Sequence, residues 1–164
     1  MTSAGRKISV HTVESYLSAL TDSFIFYRVG RYDIKGKQYL KTGDKYYAAD
    51  IGLRYNALGT KKADDGHILE NIIYLELLRR GYEVYIGKVG TAEVDFIAIG
   101  PEGEEYYQVA YTVTDTDGST LARELAPLNA INDHNPKYLL TMDYGPLVSH
   151  NGIRQVNALD WLLK

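Results

Sequence analysis

The sequence predicts a mixed α/β fold, and two observations carry that prediction. Apolar residues recur at helical spacing over 68–80 and 120–131, and three stretches rich in β-branched and aromatic residues lie between them. With a further strand over 137–142, the predicted order is α-β-β-β-α-β. A chain of 164 residues, 45% of them hydrophobic, is long enough for one such domain plus a small appendage.

The appendage is predicted from residues 1–62. Val13, Leu17 and Leu20 recur at helical spacing and predict a helix over 9–20. Strands are expected over 25–32 and 38–41 on either side of a turn at 33–37, and 45–54 leads into a short helix. The polar stretch 61–66 marks the boundary, so we divide the chain into 1–62 and 63–164.

In the second segment, Gly81 ends the helix over 68–80. Strands follow over 82–87, 92–99 and 104–113, with turns at Gly90 and 101–103. Ser119 or Thr120 is the expected cap of the second helix. Beyond the strand over 137–142, an edge strand over 153–157 and a closing helical turn over 158–163 complete the prediction.

Charge is distributed unevenly between the two segments. Residues 1–62 carry 11 Lys/Arg against 5 Asp/Glu, whereas 63–164 carry 7 against 16. The basic segment suits phosphates as partners, although solvated surfaces explain the contrast equally well. The absence of cysteine fits a reducing cytoplasm, and no apolar run approaches the roughly 20 residues that cross a bilayer, so no membrane partner is expected. The chain has no phosphate-binding loop for ATP and no hydrolase triad motif.

Three acidic or amide positions on successive elements form the candidate site. Glu70 interrupts an apolar helix stripe, so it needs a partner or a cation; the alternative is a helix-edge Glu paired with a lysine or with water. Glu93 and Asp95 lie two apart on a strand, so they share a face and suit Mg²⁺ or Mn²⁺. Alternatively, one or both point to solvent at a frayed strand end.

Gln108 and Ala110 share a face of the next strand. Gln108 offers an amide oxygen as a weak fourth metal ligand, or else hydrogen-bonds inside the sheet. Ala110 offers no polar group, and Lys88 is a possible substitute for an amine at that position.

Several motifs together resemble one family. They are Thr-Val-x-x-Tyr-Leu-x-x-Leu in 10–20, Lys-Tyr-Tyr-x-x-Asp-x-Gly-Leu-Arg at 45–54, Gly-x-x-Leu-Glu-Asn at 66–71, Glu-Val-Asp-Phe at 93–96 and Gln-Val-Ala-Tyr at 108–111. The chain resembles the C-terminal domain of unknown function of bacterial and archaeal AAA+ ATPases, which joins a winged helix to a PD-(D/E)xK, restriction-endonuclease-like domain.

The resemblance implies a partial winged helix in 1–62, because the chain begins too late to encode the first two helices, and a nuclease-like domain in 63–164. It carries over Glu70, Asp95 and Gln108 as degenerate catalytic positions, with Ala110 where the lysine belongs. It also implies that the chain is a piece of a longer protein or acts with a separate ATPase domain. No cofactor is certain, and Mg²⁺ or Mn²⁺ is possible.

Three functions remain open at this point: a nucleic-acid-associated accessory module with an inactive site, an active Mg²⁺-dependent nuclease with a relocated lysine, and a protein-interaction scaffold. We expect Glu70, Asp95 and Gln108 to converge in an acidic pocket at a sheet edge, with no DNA cleavage. We also expect weak, salt-sensitive DNA binding in 1–62, with contacts from five basic residues: Arg6, Lys7, His11, Lys35 and Lys37.

Overall fold

A computed structural model describes residues 8–59, 64–115 and 118–164. It has a mixed α/β architecture, as the sequence predicts. The helices are α1 Val10–Asp22, α2 Ile51–Leu58, α3 Asp65–Arg79, α4 Ser119–Asn129 and α5 Ala158–Leu162. The strands are β1 Phe26–Asp33, β2 Gln38–Ala48, β3 Glu83–Val89, β4 Ala92–Gly100, β5 Gly103–Val109, β6 Lys137–Thr141, β7 Val148–His150 and β8 Ile153–Asn157.

All of these strands belong to one sheet with the order β2-β1-β3-β4-β5-β6-β8-β7. The β1–β2 hairpin joins the rest of the sheet through parallel pairing of β1 with β3, in which Arg31 lies opposite Ile86. The sheet therefore continues across the boundary expected after residue 62, and the boundary residues 60–63 lie outside the described part of the chain. Strand β8 was expected at an edge; it is internal, because β7 pairs with its outer side.

Two apolar cores cover the two faces of the sheet. Leu69, Ile73 and Leu77 of α3 pack on one face, together with Trp161 of α5. Leu125 and Leu128 of α4 pack on the other. The result is a three-layer α/β/α arrangement in which α3 and α4 lie on opposite sides of the central strands.

The segment after β5 differs from its prediction at the start of α4. The N-cap residue is Gly118, with φ of +69°, rather than Ser119 or Thr120. The Asp115 carboxylate accepts the Thr120 N–H at 2.7 Å, so a side chain from the preceding loop replaces a local cap.

A β-bulge in β4 shapes the region of the candidate site. Tyr85 pairs with Ile97 and Gly87 with Val94, so two residues of β4, Asp95 and Phe96, lie opposite one residue of β3. The extra residue breaks the expected alternation: Val94 packs on the α4 side and Phe96 on the α3 side, although the sequence pattern placed both on one face. Ile97 packs with Val94 on the α4 side.

Helix α1 lies outside both cores. Ser9 caps it by accepting the Thr12 N–H, and none of its residues is buried. The apolar stripe that predicted the helix is only partly covered, since Leu17 and Leu20 are half-buried while Val13 is exposed. Among the described residues, no helix is both long and apolar enough to cross a membrane.

Candidate functional site

Helix α3 places two polar residues against the edge strand β2. The Asn71 side chain donates to the Ala48 carbonyl and accepts the Ala48 N–H, both at 2.9 Å. Because all three of these polar groups are buried, Asn71 fixes α3 against β2 at one point. The Asn of the Gly-x-x-Leu-Glu-Asn motif is thus a structural clamp between the two segments.

Glu70 precedes this clamp and is also buried. Its Oε1 atom accepts the Tyr47 hydroxyl at 2.5 Å and the Lys45 ammonium at 3.1 Å. Burial, followed by the negative charge of Glu70, raises the pKa of Tyr47, so its hydroxyl remains a donor. The sequence left open whether Glu70 meets a cation site or pairs with a lysine; it pairs with Lys45, inside the protein rather than at a helix edge.

Lys45 is the centre of the site. Its Nζ atom lies 3.1 Å from Glu70 Oε1, 2.8 Å from Glu93 Oε1 and 4.0 Å from Asp95 Oδ1. Burial acts to lower the pKa of Lys45, but attraction to Glu70 and hydrogen bonding to Glu93 outweigh it and the pKa is raised. We refer to Lys45, Glu70, Glu93 and Asp95 as the Lys45 cluster.

Glu93 pairs with two cationic side chains. Its Oε2 atom accepts a hydrogen bond from Arg31 of β1, and its Oε1 atom accepts one from Lys45 of β2. Burial would raise the pKa of Glu93, but these two hydrogen bonds lower it overall. Glu93 is therefore an ionised partner of the hairpin. The alternative, in which Glu93 points to solvent at a frayed strand end, does not apply.

Asp95 lies farther from Lys45 than Glu70 and Glu93 do. Its Oδ2 atom accepts the Val109 N–H at 2.8 Å, and Lys45 lies only at 4.0 Å from Oδ1. Burial, reinforced by the charge of Glu70, raises the pKa of Asp95 to about 7 despite the opposing effects of Val109 and Lys45. A buried carboxyl that titrates near neutral pH is typical of functional sites.

Gln108 does not complete an acidic pocket. Its Oε1 atom accepts the Asp95 N–H at 3.4 Å, and its Nε2 atom donates to Glu124 of α4 at 3.0 Å. Gln108 thus links β4 to α4, as expected for a polar residue hydrogen-bonded inside the sheet. The expected pocket at a sheet edge is wrong in its position, since β4 and β5 are internal strands.

Neither Ala110, at the expected lysine position, nor Lys88, its suggested substitute, supplies an amine to this site. Ala110 is buried in the core on the α4 side and donates its N–H to Leu140. Lys88 lies opposite Glu93 in the strand register. Its ammonium forms no ion pair among the described residues, whereas Lys45 forms three. The amine of this site therefore comes from β2 and not from β3.

The suggested metal ligands Glu70, Glu93, Asp95 and Gln108 do not form one donor set. Within the described ranges, no three Asp, Glu, His or Cys side chains are arranged to hold a metal ion. Lys45 Nζ lies between the three carboxylates, where a divalent ion would repel it. The residues present thus fit an ammonium group and do not fit Mg²⁺ or Mn²⁺ in the same place.

The sequence pattern was not used to predict Lys45 as a site residue, although its spacing from Tyr47 indicated a shared strand face. It begins the Lys-Tyr-Tyr-x-x-Asp motif two residues before Tyr47, so both side chains share a face of β2. The strand was expected to end at 41, and it runs to Ala48. In the same motif, Asp50 caps α2 by accepting the Gly52 N–H.

A cavity of about 710 Å³ adjoins the Lys45 cluster. Its polar lining consists of Lys45, Tyr47, Arg54, His67, Glu70 and Asn71, and side chains near the hairpin and on α2 form its apolar walls. The apolar residues of these walls are Ile25, Phe26, Tyr46, Ala48, Leu53 and Ala57. This cavity gives the cluster a route to solvent beside the edge strand.

The residues suggested for nucleic-acid contact lie apart from this site in the sequence. Arg6 and Lys7 are outside the described residues, and His11 is exposed on α1. Lys35 and Lys37 are exposed in the β1–β2 turn, where Asp33 accepts the N–H groups of Lys35 and Gly36. The turn is well defined and presents both ammonium groups to solvent.

Comparison with known proteins identifies relatives without a described activity. Residues 1–64 match the family described as "Domain of unknown function (DUF8612)". An uncharacterized protein of Haemophilus influenzae is 41% identical over 164 residues, which are all of this chain and 40% of the relative. The uncharacterized protein MJ1544 of Methanocaldococcus jannaschii is 32% identical over 115 residues, which are 68% of this chain and 25% of that protein. No solved structure matches.

The chain thus spans less than half the length of either relative. The family match contains Lys45 and Arg31, while Glu70, Glu93 and Asp95 lie beyond its end at 64. The Lys45 cluster is therefore built across the limit of the matched segment.

Proposed function

We propose that this chain is a nucleic-acid-associated accessory module of an AAA+ ATPase-type protein, with a nuclease-like site that is catalytically inactive. The observation that carries this proposal is the ion pairing of Lys45 with Glu70 and Glu93, at 3.1 and 2.8 Å. An amine held in this way neutralises the carboxylates that would otherwise bind a catalytic metal.

The chemistry of phosphodiester hydrolysis supports inactivity. That reaction needs a positive group to stabilise charge that develops on the phosphate, and a base or metal to activate water. Here the Lys45 ammonium is engaged by two carboxylates, Gln108 is engaged by Glu124, and the position of Ala110 is apolar. None of these groups is free to perform either task.

The association with an ATPase rests on the motif resemblance and on the length of the relatives. This sequence contains no phosphate-binding loop, so nucleotide hydrolysis would reside in another part of the protein or in a partner. The absence of cysteine fits a cytoplasmic setting.

Inactivity is tested by incubating the chain with single- and double-stranded DNA in Mg²⁺ or Mn²⁺. We expect no cleavage above that of an Asp95→Ala control prepared in parallel. Cleavage by the wild type that is lost in Asp95→Ala would overturn the proposal of an inactive site.

Nucleic-acid association is tested by titrating a DNA duplex at two salt concentrations. We expect weak binding that declines as salt rises, by a slope of roughly −0.9 in log affinity for each neutralised phosphate. Lys35→Glu/Lys37→Glu should weaken it. The charge-matched control Arg154→Glu/Lys164→Glu, on exposed residues of the acidic segment, should not. Binding unchanged by salt and by the first pair would leave the scaffold function.

A second candidate is an active Mg²⁺-dependent nuclease, and one distance favours it. Lys45 Nζ lies 4.0 Å from Asp95 Oδ1, so an amine does accompany the acidic residue that the nuclease motif requires. In that case the relocated lysine is Lys45 and not Lys88. Cleavage would then be lost in Lys45→Met and retained in Lys88→Met.

A further inference from the structure

The cavity beside the Lys45 cluster borders an open edge of the sheet. Strand β2 lies at this edge, and its outer side pairs with no other described strand. The walls of the cavity come from β2, at Tyr46 and Ala48, and from α2, at Leu53 and Ala57. The cavity is therefore a groove of about 710 Å³ between a strand edge and a helix, and we refer to it as the edge groove.

Tyr46 presents both of its backbone groups outward at this edge. The N–H and C=O of Ala48 point away from β1, because the Asn71 side chain holds both of them. Outward-pointing residues alternate in an antiparallel pair, and the register is regular from Lys45 to Ala48, so the groups of Tyr46 also point outward. No described residue pairs with the Tyr46 N–H or C=O. Such a donor and acceptor on a strand edge form a template for another extended chain.

The lining of the edge groove favours a large apolar side chain and an acidic one. Its volume lies within the roughly 300–1,000 Å³ of ligand-binding clefts, and its apolar walls offer contact to an apolar side chain. Arg54 lines the same groove and pairs through Nη2 with Asp64 at 2.9 Å. Its Nη1 atom is buried and has no hydrogen-bond partner in the described part of the chain. A buried donor without an acceptor is costly, and a carboxylate brought by a ligand would satisfy it.

A single extended segment fits the edge groove, whereas a second folded copy of the chain does not. In a two-fold pairing of β2 edges, the α2 helix of each copy would stand where the strand of the other copy must lie. Asn71 already occupies the backbone groups of Ala48, so the available edge is a short stretch around Tyr46. A short stretch between a strand and a helix suits one peptide segment.

We propose that the edge groove binds an extended segment of a partner protein, which adds to β2 as a further strand and hydrogen-bonds to the backbone of Tyr46. The segment carries a large apolar side chain that enters the groove and, two residues away, an acidic side chain that reaches Arg54. Residues two apart share a face of a strand, so both side chains enter from the same side. Neither DNA binding nor catalytic inactivity is required for this role of the groove.

The experiment begins with a phage-displayed library of short random peptides, selected on the full chain. Selected peptides should share a large apolar residue with Asp or Glu two positions away, as the face-sharing of a strand requires. One of them, synthesised with a fluorescent label, is then titrated with wild type and with the variants by fluorescence anisotropy.

Two pairs of variants separate the backbone of the edge from the apolar wall. Tyr46→Pro removes the outward N–H and leaves the pairing with β1 intact, since proline is tolerated where the N–H faces away from the sheet. Its control is Tyr46→Thr, which keeps the N–H. Ala57→Trp fills the groove from an exposed position of α2, and its control is Asn56→Trp, an exposed residue of the same helix that does not line the groove.

We expect Tyr46→Pro and Ala57→Trp each to weaken peptide binding at least about tenfold, and each control to change it less than about threefold. Methylation of the peptide's backbone nitrogens, one at a time, should find one position that weakens binding to wild type by a similar factor. This measurement covers the case in which Tyr46→Pro folds poorly. Changing the acidic residue of the peptide to its amide should weaken binding to wild type and have little effect on Arg54→Met.

Four results would overturn the proposal. The first is a selection that enriches no peptide, and the second is a peptide that binds wild type, Tyr46→Pro and Ala57→Trp equally. The third is binding that Ala57→Trp abolishes but that no backbone methylation weakens, which would show an apolar pocket without strand addition. The fourth is a wild-type dimer that Tyr46→Pro dissociates, which would assign the edge to a second copy of the chain.

Discussion

The first 62 residues carry an excess of basic side chains and the remaining 102 an excess of acidic ones. The basic side chains of the first segment divide into a group that is paired within the protein and a group that is exposed to solvent. Three cations of the first segment reach carboxylates of the second: Arg31 pairs with Glu93, Lys45 with Glu70 and Glu93, and Arg54 with Asp64. Lys35, Lys37 and Lys41 are exposed instead. Part of the charge contrast is therefore complementarity between the two segments within the fold.

This difference changes what the net charge of a segment means. The positive balance of 1–62 was taken to suit a phosphate partner, but the count includes cations that are already paired within the protein. Charges available to a partner are those of exposed side chains such as Lys35, Lys37 and Lys41. Any DNA binding should therefore involve few phosphate contacts, so its affinity should have a shallow dependence on salt concentration.

The largest effect is expected from the paired side of this comparison. Lys45→Met should lower the free energy of unfolding at neutral pH by about 2–4 kcal/mol, because it leaves three carboxylates without their shared cation. Lys45 is 29% exposed, which places the effect below that of a fully buried pair. Urea unfolding without divalent metal measures it. Lys41→Met should change stability by less than about 0.5 kcal/mol. Similar losses of stability in the two variants would mean that the paired Lys45 stabilises the fold no more than the exposed Lys41 does.

The clamp between the segments should give the next largest effect. Asn71→Ala removes two buried hydrogen bonds to Ala48 and leaves its N–H and C=O without partners. A loss of about 2–3 kcal/mol is expected in urea unfolding. The matched control is Asn56→Ala on exposed α2, which should cost much less. A loss below about 1 kcal/mol for Asn71→Ala would mean that α3 and β2 are held by apolar packing alone.

Much of the fold could be predicted because its signals are local. Helical spacing of Leu69, Ile73 and Leu77 indicated α3, and Gly81, with φ of +86°, ends it as expected. The α-β-β-β-α-β order follows from such local patterns and is present from α3 to β6. The parallel pairing of β1 with β3 could not be predicted, because more than 50 residues separate Arg31 from Ile86 and no local pattern reports their contact.

The candidate site was predicted in part for the same reason. Glu70, Glu93 and Asp95 do come together, since a helix stripe and a strand face fix their directions. Lys45 was missed because its strand was expected to end early, so that its side chain had no assigned face. For Gln108 the sequence left open a metal ligand or a hydrogen bond inside the sheet, and a single sequence could not decide between them because the Glu124 partner comes from the distant helix α4.

A pH-dependent effect of smaller size is expected at Asp95. An unfolded Asp ionises at about pH 3.9, whereas burial raises the folded pKa to about 7, so wild-type stability falls as pH rises through this interval. Asp95→Asn removes the ionisation and should raise the free energy of unfolding by about 1–2 kcal/mol at pH 8. The gain should shrink toward zero near about pH 3, where the carboxyl is mostly protonated in both states of the wild type. A loss of stability at pH 8 would show that the Asp95 charge is favourable beside Lys45.

The smallest effect is expected on the unpaired side, at the β1–β2 turn. Lys37 has φ of +47°, a conformation that costs a residue with a Cβ about 1 kcal/mol or more and costs glycine little. Lys37→Gly should therefore raise the free energy of unfolding by about 0.5 kcal/mol, after allowance for the greater freedom of glycine in the unfolded chain. Lys35→Gly, in the same turn but without positive φ, should lower it by a similar amount. Chemical unfolding of both variants at low and high salt provides the measurement. A salt-dependent loss of stability in Lys37→Gly would show that this ammonium has a partner within the protein, and it would then belong with Lys45 rather than with the charges left for nucleic acid.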